Sequence, residues 1–397
     1  MLKNVVELLA LAAYSREEMD KLFDKKRMYF SCLDPVLGYL PGNGIGKKDG
    51  MDDSSSEYIY ESGGEGERRM VNYADQPCRI NTYGDSYTQC VQVNGAESWQ
   101  EMLAANFREP IRNFGVGGYG VYQAYRRAMR VEATDKSSEY MILNIWDDDH
   151  LRNLDNGRWN RVAWIIRDIR KNYGAHGFPW AHVRYNLEKG AFEERDALCQ
   201  TSEELKELVG QAYIDAFKDD EVVHLFAMTL GGDAPVGNLE TLAEAFGISV
   251  DLRNPETRTS DAKRLHTLYG MRASQFIVDK WSRWAAERGK KLMVLLSYDV
   301  PTVIEYLEKG TRFDDDMVEF LENNGHTYVD FLAKAAEEYK AFSLSPAEFV
   351  ERFYIERKSE HVFGHYSPHG NHWFAFALRP ELLKWLSPVP PSYADAG

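Results

Sequence analysis

Residues 79–90, RINTYGDSYTQC, begin as a short β-prone run and pass abruptly into Gly84-Asp85-Ser86 before the chain continues with different character. Glycine permits a sharp turn there, and the serine is placed to start a helix. In open α/β sheets ligands bind outside the carboxyl ends of the strands, so residues that directly follow a strand carry the chemistry. A hydroxyl at such a point is exposed and close to the free N–H groups of a helix start, which favour developing negative charge. The competing reading of the same three residues is a plain N-cap serine.

Working outward, short apolar runs alternate with helical stretches, which is the pattern of parallel βαβ units. The expected strands are CRINTY (78–83), IRNF (111–114), YMILNIW (140–146), KLMVLLSY (291–298) and HTYVDFL (326–332). Helical patterns fit ESWQEMLAANF (97–107), VYQAYRRAMRVE (121–132), RASQFIVDKWSRWAAERG (272–289) and DDDMVEFLENN (314–324). The fold class expected is α/β, with a five-stranded parallel sheet and helices on both faces. The third and fourth strands are separated by far more chain than a crossover needs, so a large insertion is expected at about 155–285. Within it, HVRYNLEKGAFEER (182–195) reads as a hairpin, and TSEELKELVGQAYIDAF (201–217) and NLETLAEAFG (238–247) read as helices. Residues 1–76 read as N-terminal helices and a hairpin lead-in to a main domain at 77–397, with EYIY and RRMVNY flanking the SGGEGE turn.

Composition limits the partners. With 397 residues, 44% apolar and 13% aromatic, the chain can bury a sizeable core. Its formal charge of −15 repels phosphate backbones and anionic lipid surfaces, so neither nucleic acid nor membrane is an expected partner. Cys32, Cys78, Cys90 and Cys199 lack the number and spacing of a disulfide framework or a metal site. The N-terminal apolar run is interrupted by Glu7, and Ser15 with Glu18 has the spacing of a helix capping box. A cytoplasmic protein without a signal peptide is the expectation.

Two further strand ends are unusual. NFGVGGYGVYQAYRRA (113–128) carries glycines at 115, 117, 118 and 120, which let other groups approach the backbone, and the Gly118 amide is a candidate oxyanion donor. Gly115, Gly117 and Gly120 also satisfy the dinucleotide fingerprint, with an acid at Asp147 to hold a ribose, although that acid lies beyond the usual interval. IWDDDHLRN (145–153) places three acids side by side, either as a solvated loop, as functional groups, or as a metal site from Asp147, Asp149 and His150. Near the C-terminus, GHYSPHGNHWFAFAL (364–378) holds His365 on a loop before an aromatic helix, where its pKa range suits it to be the base for a serine. His369 and His372 read as helix-start and surface residues.

These stretches together resemble the SGNH, or GDSL-type, family of esterases and acyl hydrolases. GDSYTQC is similar to the family's nucleophile block and NFGVGGYG to its second block, while IWDDDHLRN stands where the third block has Gly-x-Asn-Asp. GHYSPHGN stands at the catalytic histidine, and LDPVLGYLPGNG (33–44) is similar to a lead-in found in such proteins. The resemblance implies a three-layer, flavodoxin-like α/β/α sandwich. It further implies Ser86 as nucleophile, His365 as general base, and the Ser86 and Gly118 amides in the oxyanion hole, with no metal or organic cofactor.

Two positions depart from the family. The third-block asparagine is replaced by Asp147 or, one residue on, Asp148, so a neutral acid or a donor such as Asn144, Arg152 or Asn153 is expected to serve the hole. Where the family places an aspartate ahead of the histidine, the chain has Val362 and Phe363, which leaves Glu360, the acids at 147–149 or a backbone carbonyl to orient His365. Asp85 is a further supporting candidate. The function expected is hydrolysis of an ester through an acyl-serine, with an O-acetylated carbohydrate or another small ester as substrate. Trp146, Trp159, Trp164 and Trp180 are candidate sugar platforms, or simply core. The alternatives are O-acyl transfer from the same site, a dinucleotide-binding oxidoreductase, and a binding protein without activity.

Overall fold

The computed structural model describes residues 2–23, 32–41, 44–49, 55–60, 66–165, 174–355 and 364–391. Among them the strands are β1 (Cys32–Asp34), β2 (Gly38–Leu40), β3 (Gly44–Asp49), β4 (Ser55–Tyr60), β5 (Ile80–Tyr83), β6 (Arg112–Asn113), β7 (Tyr140–Trp146), β8 (His182–Asn186), β9 (Ala191–Arg195), β10 (Lys291–Ser297) and β11 (Thr327–Asp330). The first helices are α1 (Val5–Ala12), α2 (Arg16–Leu22), α3 (Ser86–Gln89), α4 (Trp99–Phe107) and α5 (Val121–Val131).

Five strands form one parallel sheet in the order β11-β10-β7-β5-β6. All seven residues of β7 are buried, as are the last five of β10, which is why both read as near-continuous apolar runs rather than alternating ones. Tyr83 lies opposite Leu143, and Ser297 opposite Trp146, so β5, β7 and β10 end along the same edge. Side chains alternate between the faces of β5. Tyr83 packs on Phe114 and Trp281, and Trp281 in turn on Tyr125 of α5. On the other face Thr82 accepts a hydrogen bond from Gln100 of α4 (3.2 Å). Helices therefore flank the sheet on both sides, a three-layer α/β/α arrangement.

Several elements differ from the sequence reading for local reasons. The stretch 201–217 is two helices, Ser202–Glu207 and Gln211–Phe217, interrupted at Gly210 with φ 51°. The helix expected at 272–289 begins much earlier and runs Arg258–Ala286. HTYVDFL is strand only to Asp330, whose side chain accepts from the Leu332 amide and so starts the helix Phe331–Tyr339. EYIY pairs mainly with the upstream β3; among the described residues its β-pairing with the later run is the bridge Tyr60 to Arg68, whose guanidinium also lies over the Tyr58 ring. The capping box at Ser15 and Glu18 is present, and HVRYN and AFEER pair as β8 and β9.

The chain divides into two compact units, one of residues 1–42 with 150–277 and one of 43–149 with 278–397. This division differs from a lead-in at 1–76 followed by a domain interrupted at 155–285. In the first unit Leu8 and Leu9 of α1 are fully buried in a core with Trp159, Phe178 and Phe217. Burial of each leucine is worth about 1.5–3 kcal/mol, and a helix with such a face must find a partner. Its pattern does not say which partner. The second unit carries the sheet and the β3–β4 hairpin.

Candidate active site

Asp85 shapes the turn after β5. Its Oδ1 accepts from the Tyr87 amide (2.8 Å), which caps α3, and its Oδ2 accepts from Ser86 Oγ (3.2 Å). Gly84 has φ 150°, and a Cβ there would stand 2.3 Å from Thr88 Oγ1 and 2.6 Å from the Asn144 carbonyl, so no side chain fits. From Ile80 through Val93, Ser86 alone is not fully buried. The turn presents one hydroxyl and hides the rest.

The glycine loop after β6 is built against this turn. Val116 N–H donates to Gly84 O (3.0 Å), Tyr119 N–H to Val116 O (3.1 Å), and Gly117 N–H to Gln89 Oε1 (2.7 Å). Gly118 is the third residue of that turn with φ 88°, the position that a type II turn reserves for glycine. Among the described residues the Ser86 and Gly118 amides find no acceptor. Two N–H groups on neighbouring segments are thus available to a ligand.

His365 is held from both sides. Tyr87 Oη donates to Gly364 O (2.7 Å), the Ile355 amide to His365 O (2.9 Å), and Ser367 caps the helix Pro368–Trp385 through the Gly370 amide (3.1 Å). Asn371 Nδ2 donates to Tyr366 O (3.2 Å) while its Oδ1 accepts from the Trp99 amide (3.1 Å), tying the loop to α4. So fixed, the imidazole Nε2 lies 2.9 Å from Ser86 Oγ, and the ring packs 5.0 Å from that of Tyr87. The hydroxyl has one proton and two acceptors, and the shorter contact is to the histidine. No protein-family model matches the chain, and no curated protein matches it either.

The acids beyond β7 have separate roles. Asp149 Oδ2 accepts from the Trp146 amide (3.0 Å) and closes the turn. Asp148 is half-buried. Asp147 accepts from Thr302 Oγ1 (2.5 Å) on Oδ2, while Oδ1 is closed off from solvent without a hydrogen-bond partner. Burial, then the charge of Asp299, raises the Asp147 pKa well above the ordinary aspartate value; Asp314 adds to this and the Thr302 bond opposes it. A raised pKa in the fold means that stability is full below about pH 4 and falls as the pH rises through the folded value. Asp147→Asn removes this penalty, so the variant is expected to melt above the wild type at about pH 8, with the gap closing towards pH 4. Equal melting temperatures at both would show that the carboxyl carries no such penalty.

The remaining candidates are distributed. Asn144 is buried on β7 with neither side-chain atom hydrogen-bonded. Arg152, Asn153 and His150 belong to the first unit, where Asn153 Nδ2 and His150 Nδ1 both meet Ser274 Oγ at 2.8 Å. Glu360, Val362 and Phe363 lie outside the described residues. No group of three His, Cys, Asp or Glu side chains among the described residues could hold a metal ion. Cys78, Cys90 and Cys199 are free thiols, and no helix among the described residues is long and apolar enough to cross a membrane. Trp146, Trp159 and Trp180 are buried, in keeping with the core reading and not with sugar platforms, and Trp164 is half-buried. Sequence reasoning missed Tyr87, Gln89 and Arg68. Arg68 is buried and donates to the carbonyls of Gln89, Cys90, Val93 and Asn94, pinning the segment after α3. Their residue types alone carried no signal, because each acts through a partner distant in sequence.

Proposed function

We propose that the chain is an ester hydrolase that works through an acyl-serine intermediate. Ser86 Oγ attacks the ester carbonyl carbon, the carbonyl π pair moves to oxygen, and His365 Nε2 takes the serine proton. Collapse of the tetrahedral species expels the alcohol, which receives that proton from His365; water then repeats the sequence on the acyl-serine. The amides of Ser86 and Gly118 are the donors to the oxyanion. The reading is carried by the contact of 2.9 Å between His365 Nε2 and the one partly exposed hydroxyl of the turn.

A dinucleotide reading of the glycine loop is less well supported. Gly115 is filled by the backbone of residues 88–89 and the Gly117 amide is taken by Gln89, so two of the fingerprint glycines serve packing within the protein. A small ester is the substrate class, and the preference for an acetylated carbohydrate rests on the family resemblance. Transfer of the acyl group to another hydroxyl uses the same groups with a different acceptor. The test is labelling by a fluorophosphonate followed by peptide mass analysis. The adduct is expected on Ser86; an unlabelled protein, or an adduct elsewhere, overturns the assignment.

A further inference from the structure

A general base works only while its ring nitrogen stays within hydrogen-bond reach of the proton it takes, and a misplacement of about 1 Å costs about 10²-fold in rate. His365 lies on a loop, so its chain must be fixed against the nucleophile turn. Backbone bonds hold it from one side: the Ile355 amide donates to His365 O (2.9 Å), the Ser367 amide to Phe353 O (2.9 Å), and Tyr354 bridges Tyr366. These tie the histidine to residues 353–355, not to the turn that carries Ser86. Tyr87 spans that gap. Its backbone belongs to the turn, where its amide donates to Asp85 Oδ1 (2.8 Å) and its carbonyl accepts from the Trp99 indole (3.1 Å). Its hydroxyl donates to the carbonyl of Gly364 (2.7 Å), the peptide group that leads into His365. Between these ends the ring stacks on Trp146 at 5.2 Å, meets Tyr366 edge-on at 5.1 Å and lies 5.0 Å from the imidazole. Tyr87 is 2% exposed, so the ring has no room to swing aside and touches no substrate.

We propose that Tyr87 is a positioning residue whose hydroxyl, by holding the Gly364 carbonyl, keeps the His365 imidazole in line with Ser86 Oγ. This rests on acyl transfer at Ser86. One side chain then sets the distance between nucleophile and base, because it is joined covalently to the first and hydrogen-bonded to the residue before the second. As Ser86 Oγ bonds to the ester carbon, the serine proton passes to His365 Nε2, and Tyr87 keeps its own proton throughout. The imidazolium so formed lies 5.0 Å from the phenol ring centroid, inside the distance of about 6 Å at which an aromatic ring attracts a cation. Phenylalanine at this position keeps the ring and its stacking partners. It loses the bond to Gly364, leaves that buried carbonyl without this donor, and frees the base loop to shift.

The experiment is steady-state hydrolysis of p-nitrophenyl acetate by wild type, Tyr87→Phe, Tyr339→Phe and Ser86→Ala, each checked by circular dichroism, with the rate of fluorophosphonate labelling measured alongside. Acylation and deacylation both need the base in place, so Tyr87→Phe is expected to lose about 10- to 10²-fold in kcat with KM within about twofold of wild type. Labelling should slow by a similar factor. Tyr339→Phe is the control: Tyr339 Oη also donates to a backbone carbonyl, that of Leu344 (2.7 Å), so it loses a bond of the same kind and should keep the wild-type kcat. Wild-type kcat in Tyr87→Phe overturns the proposal. So does a rise in KM alone, or an equal loss in Tyr339→Phe, which would mean general loosening of the fold. If Ser86→Ala is as active as wild type, acyl transfer at Ser86 falls and the role of Tyr87 with it; if Ser86→Ala is inactive while Tyr87→Phe is unimpaired, the role of Tyr87 alone falls.

Discussion

Ser86→Ala is expected to bring p-nitrophenyl acetate hydrolysis down to background, a loss on the order of 10⁶-fold in kcat where a serine nucleophile is removed. The change deletes one hydroxyl and disturbs little else. Asp85 Oδ1 still caps α3 through Tyr87, and His365 is still held by Tyr87, Ile355 and the capped helix behind it. Melting temperature should therefore stay close to wild type, which separates lost chemistry from lost fold. Retention of most of the activity would mean that the hydroxyl beside His365 is not the nucleophile.

The largest expected effect on stability comes from Gly115→Ala. A Cβ at Gly115 would lie 2.4 Å from the Gln89 nitrogen and 2.7 Å from the Thr88 carbonyl carbon. Those atoms are backbone of the nucleophile turn, itself pinned by Arg68 and by the Asn113 side chain on Thr88 O (2.7 Å). Nothing there can swing aside. Overpacking typically costs 1–3 kcal/mol when side chains can adjust, so a backbone collision should cost about 3 kcal/mol or more. Gly310 supplies the control: it ends the helix Val300–Lys309 with φ 71° and open space around it, so alanine there meets only backbone strain of about 1–2 kcal/mol. Urea unfolding midpoints compare the two, and a Gly115→Ala protein as stable as Gly310→Ala would refute the close-packing account. Any folded fraction of Gly115→Ala should also be slow in hydrolysis, because the displaced loop carries the Gly118 amide.

Legibility differed with the range of the forces involved. β7 was readable to the residue because a strand buried on both faces needs a continuous apolar run, and YMILNIW is one. The turn at Gly84-Asp85-Ser86 was readable from its glycine, with the helix starting at Ser86 as expected, but the cap is Asp85, accepting from the Tyr87 amide, and not the serine. The start of the helix at Arg258 was missed, and the break at Gly210 was read through. Neither the partner of α1 nor that of EYIY followed from pattern, since an apolar face specifies burial and not the surface that provides it.

The amino-acid sequence by itself determined the pieces: which runs enter a parallel sheet, where glycine and aspartate force the chain to turn, and which hydroxyl and imidazole stand on loops. Tertiary structure alone decided that Ser86 and His365, 279 residues apart, meet at 2.9 Å, and that an acid of IWDDDHLRN is driven towards its neutral form. Both follow from groups that only folding assembles, because Coulomb and desolvation energies depend on distances in space, and the charges that act on Asp147, those of Asp299 and Asp314, stand at helix starts more than 150 residues further along the chain.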